Sequence, residues 1–295
     1  MATPNDPEPI RAVGFIGLGD QGGPCREPSP SLASASTSGP RRPASLRALD
    51  GVPCVAHSSA ADLAGACDLL SLPLNDDRDV LDVLDRQGVL QALKPGTPVV
   101  NHGTGDPNDN RRIASMLAAA GFMYLDAPVS GGRPAAIART LTTMVGGDES
   151  TFARCEPVFA AFSGKCAYMG RSGNGQMTKL LNNALTMTNL KNVSDVFSLA
   201  ERLGVDLAAF YGVVSASSGS SRILEALPQL TVALASHLQV LMKKDVEHFA
   251  DGIRSNGQDP TGLRERGLAG ALELVDVVRL LTEAQRSSRP ATAAP

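Results

Sequence analysis

Ala12-Val13-Gly14-Phe15-Ile16-Gly17-Leu18-Gly19-Asp20-Gln21-Gly22 is the stretch that decides how the rest of the chain is read. Ala12 to Ile16 is a short apolar run that ends in glycines, and it reads as a buried strand. Gly17, Gly19 and Gly22 have G-x-G-x-x-G spacing. That spacing lets backbone approach a pyrophosphate and delivers it to a helix N-terminus. The chain holds 29 glycines, so glycine-rich turns are common in it and the pattern needs context. Directly after the first strand of a strand–helix series it points to dinucleotide binding, with Gly17, Leu18, Gly19, Asp20, Gln21 and Gly22 as the cofactor loop. A plain turn is the other reading.

The series follows. Apolar runs recur at Val52–Val55, Asp68–Leu72, Pro98–Val100, Phe122–Leu125, Leu141–Val145 and Cys166–Met169. Helical patterns such as Asp76–Leu84 and Asn108–Ala120 lie between several of them. Strands alternating with helices imply an α/β fold with a mainly parallel sheet. After Gly175 the strands stop. Gln176 to Leu203 runs without Pro or Gly, with helical apolar spacing, and Gly204 is a suitable stop. Further helical patterns cover Leu207–Val214, Ser221–Leu227, Leu238–Gly252 and Pro260–Thr282. The expected organisation is a loose tail over 1–10, a nucleotide-binding α/β domain over 11–174, an all-helical domain over 175–285 entered by one long helix, and a disordered tail over 286–295.

Composition narrows the function. At 295 residues there is room for two ordinary domains, and 43% hydrophobic content supplies their cores. Only 19% of residues are charged and the net charge is −3, which argues against a nucleic-acid grip. No apolar run is long enough to span a membrane. Residues 1–11 lack the apolar core of a secretory signal. The five cysteines are scattered without a C-x-x-C, as expected of reduced thiols in the cytoplasm. The four histidines make no metal spacing, so no metal is expected.

Residues 24–43, PCREPSPSLASASTSGPRRP, break the pattern with five prolines and six Ser or Thr. A helix and a second strand belong there. Proline in a helix interior costs roughly 3 kcal/mol, so a loop is expected, with the sheet lacking its second strand. No acid lies about 20 positions past the glycine motif to meet a ribose 2′-OH. Arg41 and Arg42 stand there instead. They can hold a 2′-phosphate, which favours NADP over NAD, or they form a solvated basic loop.

Two further constellations carry chemistry. Asp126-Ala127-Pro128-Val129-Ser130-Gly131-Gly132 follows a strand. The Gly131 and Gly132 amides and the Ser130 hydroxyl can bind a carboxylate; an ordinary strand-end turn is the alternative. Gly170-x-x-Gly173-x-Gly175-x-x-x-Lys179-x-x-Asn182-Asn183 opens the long helix. Lys179 and Asn183 are four residues apart and share a face. A lysine on a helix is usually solvated, but one followed by two asparagines at a domain junction suggests a site. A partly desolvated lysine can exchange protons near neutral pH.

Taken together, the blocks FIGLGDQG, DAPVSGG with TLTTMVGGDES, GNGQMTKLLNN and MKKDVEHFA resemble the β-hydroxyacid dehydrogenase family. That family includes 3-hydroxyisobutyrate and tartronate semialdehyde dehydrogenases or reductases. The resemblance covers about residues 12–23 and 44–283. It implies a Rossmann-type doubly wound parallel sheet followed by an all-helical domain, and hydride transfer between a β-hydroxyacid and NAD or NADP. It implies Lys179 as general acid/base, Asn183 orienting substrate, and Ser130, Gly131 and Gly132 holding the substrate carboxylate. It also implies that Leu72, Pro73, Leu74 and Thr104 lie beside the cofactor, and that Lys244, paired in sequence with Asp245, lies near the nicotinamide. The expected partners are a small hydroxyacid or its oxo form and further copies of the chain in a homodimer or homotetramer.

Two departures stand out. Asn101-His102-Gly103-Thr104 replaces the family's Asp-x-Ser-Thr, so Gly103 carries no hydroxyl. Residues 24–43 match the family in length but not in character, which suggests a compensated reading-frame shift in the gene. Three rivals remain. Imine reductases share the architecture but usually lack the lysine kept here as Lys179. A 6-phosphogluconate dehydrogenase has His where this chain has Asn182. A catalytically silent cofactor-binding protein loses the motif lysine.

Overall fold

The computed structural model describes residues 9–17, 55 and 57–287. The expectations for Leu18–Gly22, for the 24–43 stretch with Arg41 and Arg42, and for residues 288–295 lie outside the described residues. So does the run Val52–Val55 except its last member; Val55 is exposed and in no strand. The chain divides into two compact units, Met1–Lys179 and Leu180–Pro295.

In the first unit, β1 (Val13–Phe15), β2 (Leu69–Leu72), β3 (Pro98–Asn101) and β4 (Met123–Asp126) pair in that order, all parallel. A short β5 (Val129–Ser130) and β6 (Leu141–Gly147) add antiparallel pairings, since β6 runs against both β4 and β5. β7 (Ser163–Tyr168) pairs parallel to β6. The helices among the described residues are α1 (Ala60–Ala66), α2 (Asp77–Arg86), α3 (Val89–Ala92), α4 (Pro107–Ala119), α5 (Gly132–Ile137) and α6 (Glu149–Ala160).

Strand side chains alternate between faces, and both faces are apolar. Phe15, Leu69, Val100 and Leu125 share one core with Cys155, Val158 and Phe159 of α6. Leu70, Val99 and Tyr124 share the other with Leu63 of α1, Leu84 of α2 and Leu117 of α4. Helices therefore cover the sheet on both sides, the doubly wound Rossmann arrangement. Each such Leu or Phe stabilises the fold by about 1.5–3 kcal/mol. The helix starts are fixed by aspartates: Asp76, Asp106 and Asp148 accept from backbone N–H groups of the first turns of α2, α4 and α6, each worth about 1 kcal/mol.

One expectation for the N-terminus is corrected. Ile10, expected in a loose tail, is buried in the first core. The backbone N–H groups of Arg11 and Ala12 donate to the Asp68 carboxylate at 3.1 and 3.0 Å, which ties the entry of β1 to the entry of β2.

The helical half begins with α7 (Asn174–Arg202), followed by α8 (Leu207–Ser215), α9 (Arg222–Ala226), a 3₁₀ turn (Leu227–Gln229), α10 (Val232–Ser255) and α11 (Thr261–Ser287). α7 ends where expected. Gly204, at φ +72°, donates to Glu201, and Val205 donates back to Ala200. This double bond pattern satisfies the last carbonyls of the helix. α10 starts six residues before the expected Leu238, capped by Thr231. α11 runs two residues into the stretch expected as a tail. Gly270 lets α11 lie against α7, since a Cβ there would run into the Met187 carbonyl oxygen. Among the described residues no helix is long and apolar enough to cross a membrane.

Candidate active site

Parallel pairing brings the carboxyl ends of β1, β2 and β3 side by side. Gly17 follows β1 with φ +116°, and a Cβ on it would sit 2.7 Å from the Pro73 carbonyl oxygen and 3.0 Å from Leu74. Only glycine fits there. Leu72 closes β2, and Pro73-Leu74 continues it. Beyond β3, a Cβ on Gly103 would run into the Leu74 carbonyl oxygen. The missing serine hydroxyl is therefore built into the backbone path, because the Leu74 carbonyl fills its place. Gly17, Leu74 and Gly103 thus pack in a row at the strand ends, with Thr104 next in sequence.

A buried polar cluster holds this edge. Asn110 Nδ2 donates to Asp77 Oδ1 at 2.8 Å, and Tyr124 donates its hydroxyl to Asn110 Oδ1 at 2.6 Å. Asn101 Nδ2 donates to Asn110 Oδ1 at 3.0 Å, while Asn101 Oδ1 accepts from the Gly103 N–H at 2.9 Å. The Asp106 N–H donates to Asp77 Oδ2 at 2.7 Å. Burial, with Asp126 and Asp77 nearby, pushes the Tyr124 phenol well above its usual range.

His102 belongs to the core. Its Nδ1–H donates to the Ala127 carbonyl at 2.9 Å, and its ring meets Phe159 and Phe162 edge-on. Burial drives its pKa down to about 4. A histidine whose folded pKa is depressed loses stability as pH falls from its unfolded value, near 6.5, towards 4. The stability advantage of the native chain over His102→Gln should therefore shrink by roughly 3 kcal/mol across that window. Urea unfolding of both proteins from pH 7 to pH 4 measures it. A constant gap would show that His102 is not held neutral.

Asp126 and Gln176 tie these strand ends to the start of α7. Asp126 closes β4 and is fully buried. Its carboxylate accepts from the Gly173 N–H at 2.8 Å and the Gln176 N–H at 2.9 Å. An anion thereby meets the free amides at the positive end of the helix dipole. Burial raises its pKa to about 6 against the pull of those donors, so it is ionised at neutral pH. Gly146, Gly173 and Gly175 leave the room: a Cβ on Gly146 would lie 2.7 Å from Asp126 Oδ1, and one on Gly175 would strike the Asp126 carbonyl oxygen. The Gln176 side chain bridges back, donating to the Gly103 carbonyl at 2.8 Å and accepting from the Gly105 N–H at 2.9 Å. It brackets Thr104. Sequence reasoning missed both residues. The signal was an acid at a strand end and a glutamine set among helix-opening glycines.

Ser130, on β5, is half-buried and opposite Thr142. Gly131 and Gly132 follow at φ +125° and +65°. A Cβ on Gly131 would lie 2.5 Å from that of Ala135. Lys179 lies one turn beyond Gln176 on α7 and is 8% exposed. In the second unit, Asn183 is buried and donates to Asp245 Oδ2 at 2.7 Å, while its Oδ1 accepts from Asn182 at 3.1 Å. Lys244, half-buried on α10, precedes Asp245. Among the described residues no cluster of His, Cys, Asp or Glu has the makings of a metal site.

Comparison with known proteins decides the family. Residues 12–170 match the family model for the NAD binding domain of 6-phosphogluconate dehydrogenase. Residues 173–260 match that for the NAD-binding region of NADP-dependent 3-hydroxyisobutyrate dehydrogenase. A probable 3-hydroxyisobutyrate dehydrogenase of Mycobacterium tuberculosis is 32% identical over 221 residues, 72% of this chain and 71% of the relative. The chain belongs to the β-hydroxyacid dehydrogenase family. A 2-hydroxy-3-oxopropionate reductase of Escherichia coli is 32% identical over 220 residues, 72% of this chain and 73% of the relative. The solved M. tuberculosis 3-hydroxyisobutyrate dehydrogenase with L-serine superposes with a TM-score of 0.78 at 24% identity, covering 92% of this chain and 99% of that one, and so shares the fold. As a β-hydroxyacid dehydrogenase the chain is an NAD(P)-dependent oxidoreductase acting on the hydroxyl group of a small hydroxyacid.

Proposed function

We propose that this enzyme oxidises a small β-hydroxyacid of the 3-hydroxyisobutyrate type, or reduces its oxo form, with Lys179 as general acid/base. The observation that carries the reading is Lys179 itself. It is a buried lysine on a helix whose first turn is tied through Asp126 and Gln176 to the ligand edge of a Rossmann sheet. Lysine is rarely buried this far.

The strand ends fit a dinucleotide. Gly17, Leu72-Pro73-Leu74 and Thr104 lie at the carboxyl ends of adjacent parallel strands, where this fold takes its ligands. Gly17 gives the backbone a path no side chain allows. Gly17, Leu18, Gly19, Asp20, Gln21 and Gly22 form the pyrophosphate loop in this reading, with Lys244 nearer the nicotinamide. Arg41 and Arg42 favour the 2′-phosphate of NADP over NAD. When bound, the nicotinamide accepts or supplies the hydride.

The chain's own groups do the rest. The Ser130 hydroxyl and the Gly131 and Gly132 amides hold the substrate carboxylate and fix which carbon is presented. Asn183, held by Asp245, orients the reacting hydroxyl. In oxidation the Lys179 Nζ takes the hydroxyl proton; in reduction it returns a proton to the forming alkoxide and stabilises that charge beforehand. In domain terms, residues 11–174 are the nucleotide-binding domain, which also supplies the carboxylate loop, and 175–285 the helical domain for substrate and dimerisation.

A dehydrogenase screen over small β-hydroxyacids with NAD and NADP tests the whole reading. Turnover of one of them, with tighter NADP binding, is expected. Failure on all, with turnover of an imine, would sink it. Ser130→Ala should raise KM for the acid by about tenfold, the loss of one hydrogen bond to a charged group, with little change in NADPH affinity. Weaker cofactor binding with an unchanged KM would place Ser130 elsewhere.

A further inference from the structure

Asp77 is a buried carboxylate that the chemistry proposed above does not use. It opens α2, beyond the end of β2, and is 6% exposed. In the first turn of a helix its charge meets the positive end of the helix dipole. Three donors from the end of the neighbouring strand converge on it. The Asp106 N–H reaches Oδ2 at 2.7 Å, and Asn110 Nδ2 and Asn101 Nδ2 reach Oδ1 at 2.8 and 3.3 Å. Gly105 lies so close to the same carboxylate that a Cβ on it would run into both oxygens. A carboxylate held by three donors is a firm anchor, since moving it leaves buried groups unpaired.

What it anchors is the segment that follows β3. Asn101 turns its Nδ2 to Asp77, which leaves its Oδ1 to accept from the Gly103 N–H at 2.9 Å. One carboxylate thus holds both ends of the segment, Asp106 directly and Gly103 through Asn101. Thr104 stands between them. The arrangement also requires an amide at position 101. A carboxylate there would bring two anionic oxygens to the 3.3 Å now spanned by a hydrogen bond, and buried like charges at that range repel strongly. This gives the departure of Asn101 from the family's Asp-x-Ser-Thr a physical reason. The negative charge sits on the adjoining strand end, at Asp77.

We propose that Asp77 is a positioning residue for the dinucleotide, setting Thr104 through Asn101 and the 103–106 segment. The inference rests on the reading that Thr104 lies beside the cofactor. Its readout is the affinity of the full chain for NADPH or NADH, whichever binds tighter, by fluorescence titration. No substrate is needed, so the result stands whichever hydroxyacid is turned over. Asp77→Asn is expected to weaken binding by about tenfold, the worth of one hydrogen bond. Asn101→Asp, which sets a second carboxylate against the first, should weaken it at least as much. The double swap D77N/N101D exchanges carboxylate and amide across the same contact. The Asn110 amide can turn over to suit, since its two ends are nearly the same size. Affinity should return to within about threefold of native, because the two changes are coupled rather than additive. A further comparison separates positioning from stability. In a Thr104→Val background Asp77→Asn should cost no more affinity, while still lowering the urea midpoint. Circular dichroism shows which variants fold. If a single variant does not, the double swap decides, and its failure to fold or to bind as native does would overturn the proposal. Undiminished affinity in folded Asp77→Asn would overturn it, as would losses that add in the Thr104→Val background. Either result in a native chain that binds dinucleotide refutes Asp77 alone. A native chain that binds neither cofactor refutes the cofactor reading along with it.

Discussion

Lys179→Ala is expected to lower kcat by about 10²–10⁴-fold, the usual contribution of a general acid/base, with NADPH affinity within about twofold of native. The argument starts from burial. Lys179 is 8% exposed, so most of its side chain is withdrawn from water. A charge formed on the substrate oxygen beside it feels that ammonium strongly, because the surroundings screen little. Removing the amine takes away both the proton and the charge. Lys179→Met keeps most of the stem and separates chemistry from packing. Both variants should lose turnover alike if the amine acts, whereas Lys179→Met should be nearly native if only the stem matters. A small primary amine added to Lys179→Ala should restore part of the rate. Turnover near native in folded Lys179→Ala would remove the residue from the mechanism.

The sheet was legible because its strands are short apolar runs between turn residues, and Asp68–Leu72 and Pro98–Val100 overlap β2 and β3 closely. β5 is two residues long, too short for any period to show. α10 was read late because Ser236 and His237 interrupt the apolar spacing. The earlier signal was a cap, Thr231, whose side chain accepts from the Leu234 N–H. The residues proposed for the chemistry, Ser130, Lys179 and Asn183, come from local motifs. Their supports do not. Asp126 and Gln176 lie 50 residues apart, and spacing along the chain says nothing of their meeting. Gly103 read as the loss of a hydroxyl. Its cause, the carbonyl of Leu74, belongs to another strand end.

Asp126→Ala should destabilise the protein by about 3–5 kcal/mol, the cost of leaving buried donors without their acceptor. The Gly173 and Gln176 amides have no other carboxylate to turn to among the described residues. No side chain at Gly173 can cap α7 instead, since a Cβ there would sit 2.7 Å from the Pro107 carbonyl oxygen. Asp126→Asn keeps the shape but turns one acceptor into a donor facing an N–H. It should cost nearly as much, whereas a role limited to filling space would leave Asn close to native. Urea midpoints for the three proteins decide between these. Activity adds a second reading. Lys179 lies one turn beyond Gln176, so a frayed first turn loosens the amine against its substrate, and small losses of position are costly in rate. In whatever fraction of Asp126→Asn remains folded, kcat should fall much more than NADPH affinity, because Gly17 and the β1 and β2 strand ends are untouched and only the Gln176 hold on Gly103 and Gly105 is loosened. Native kcat in a folded but destabilised Asp126→Asn would confine Asp126 to the fold.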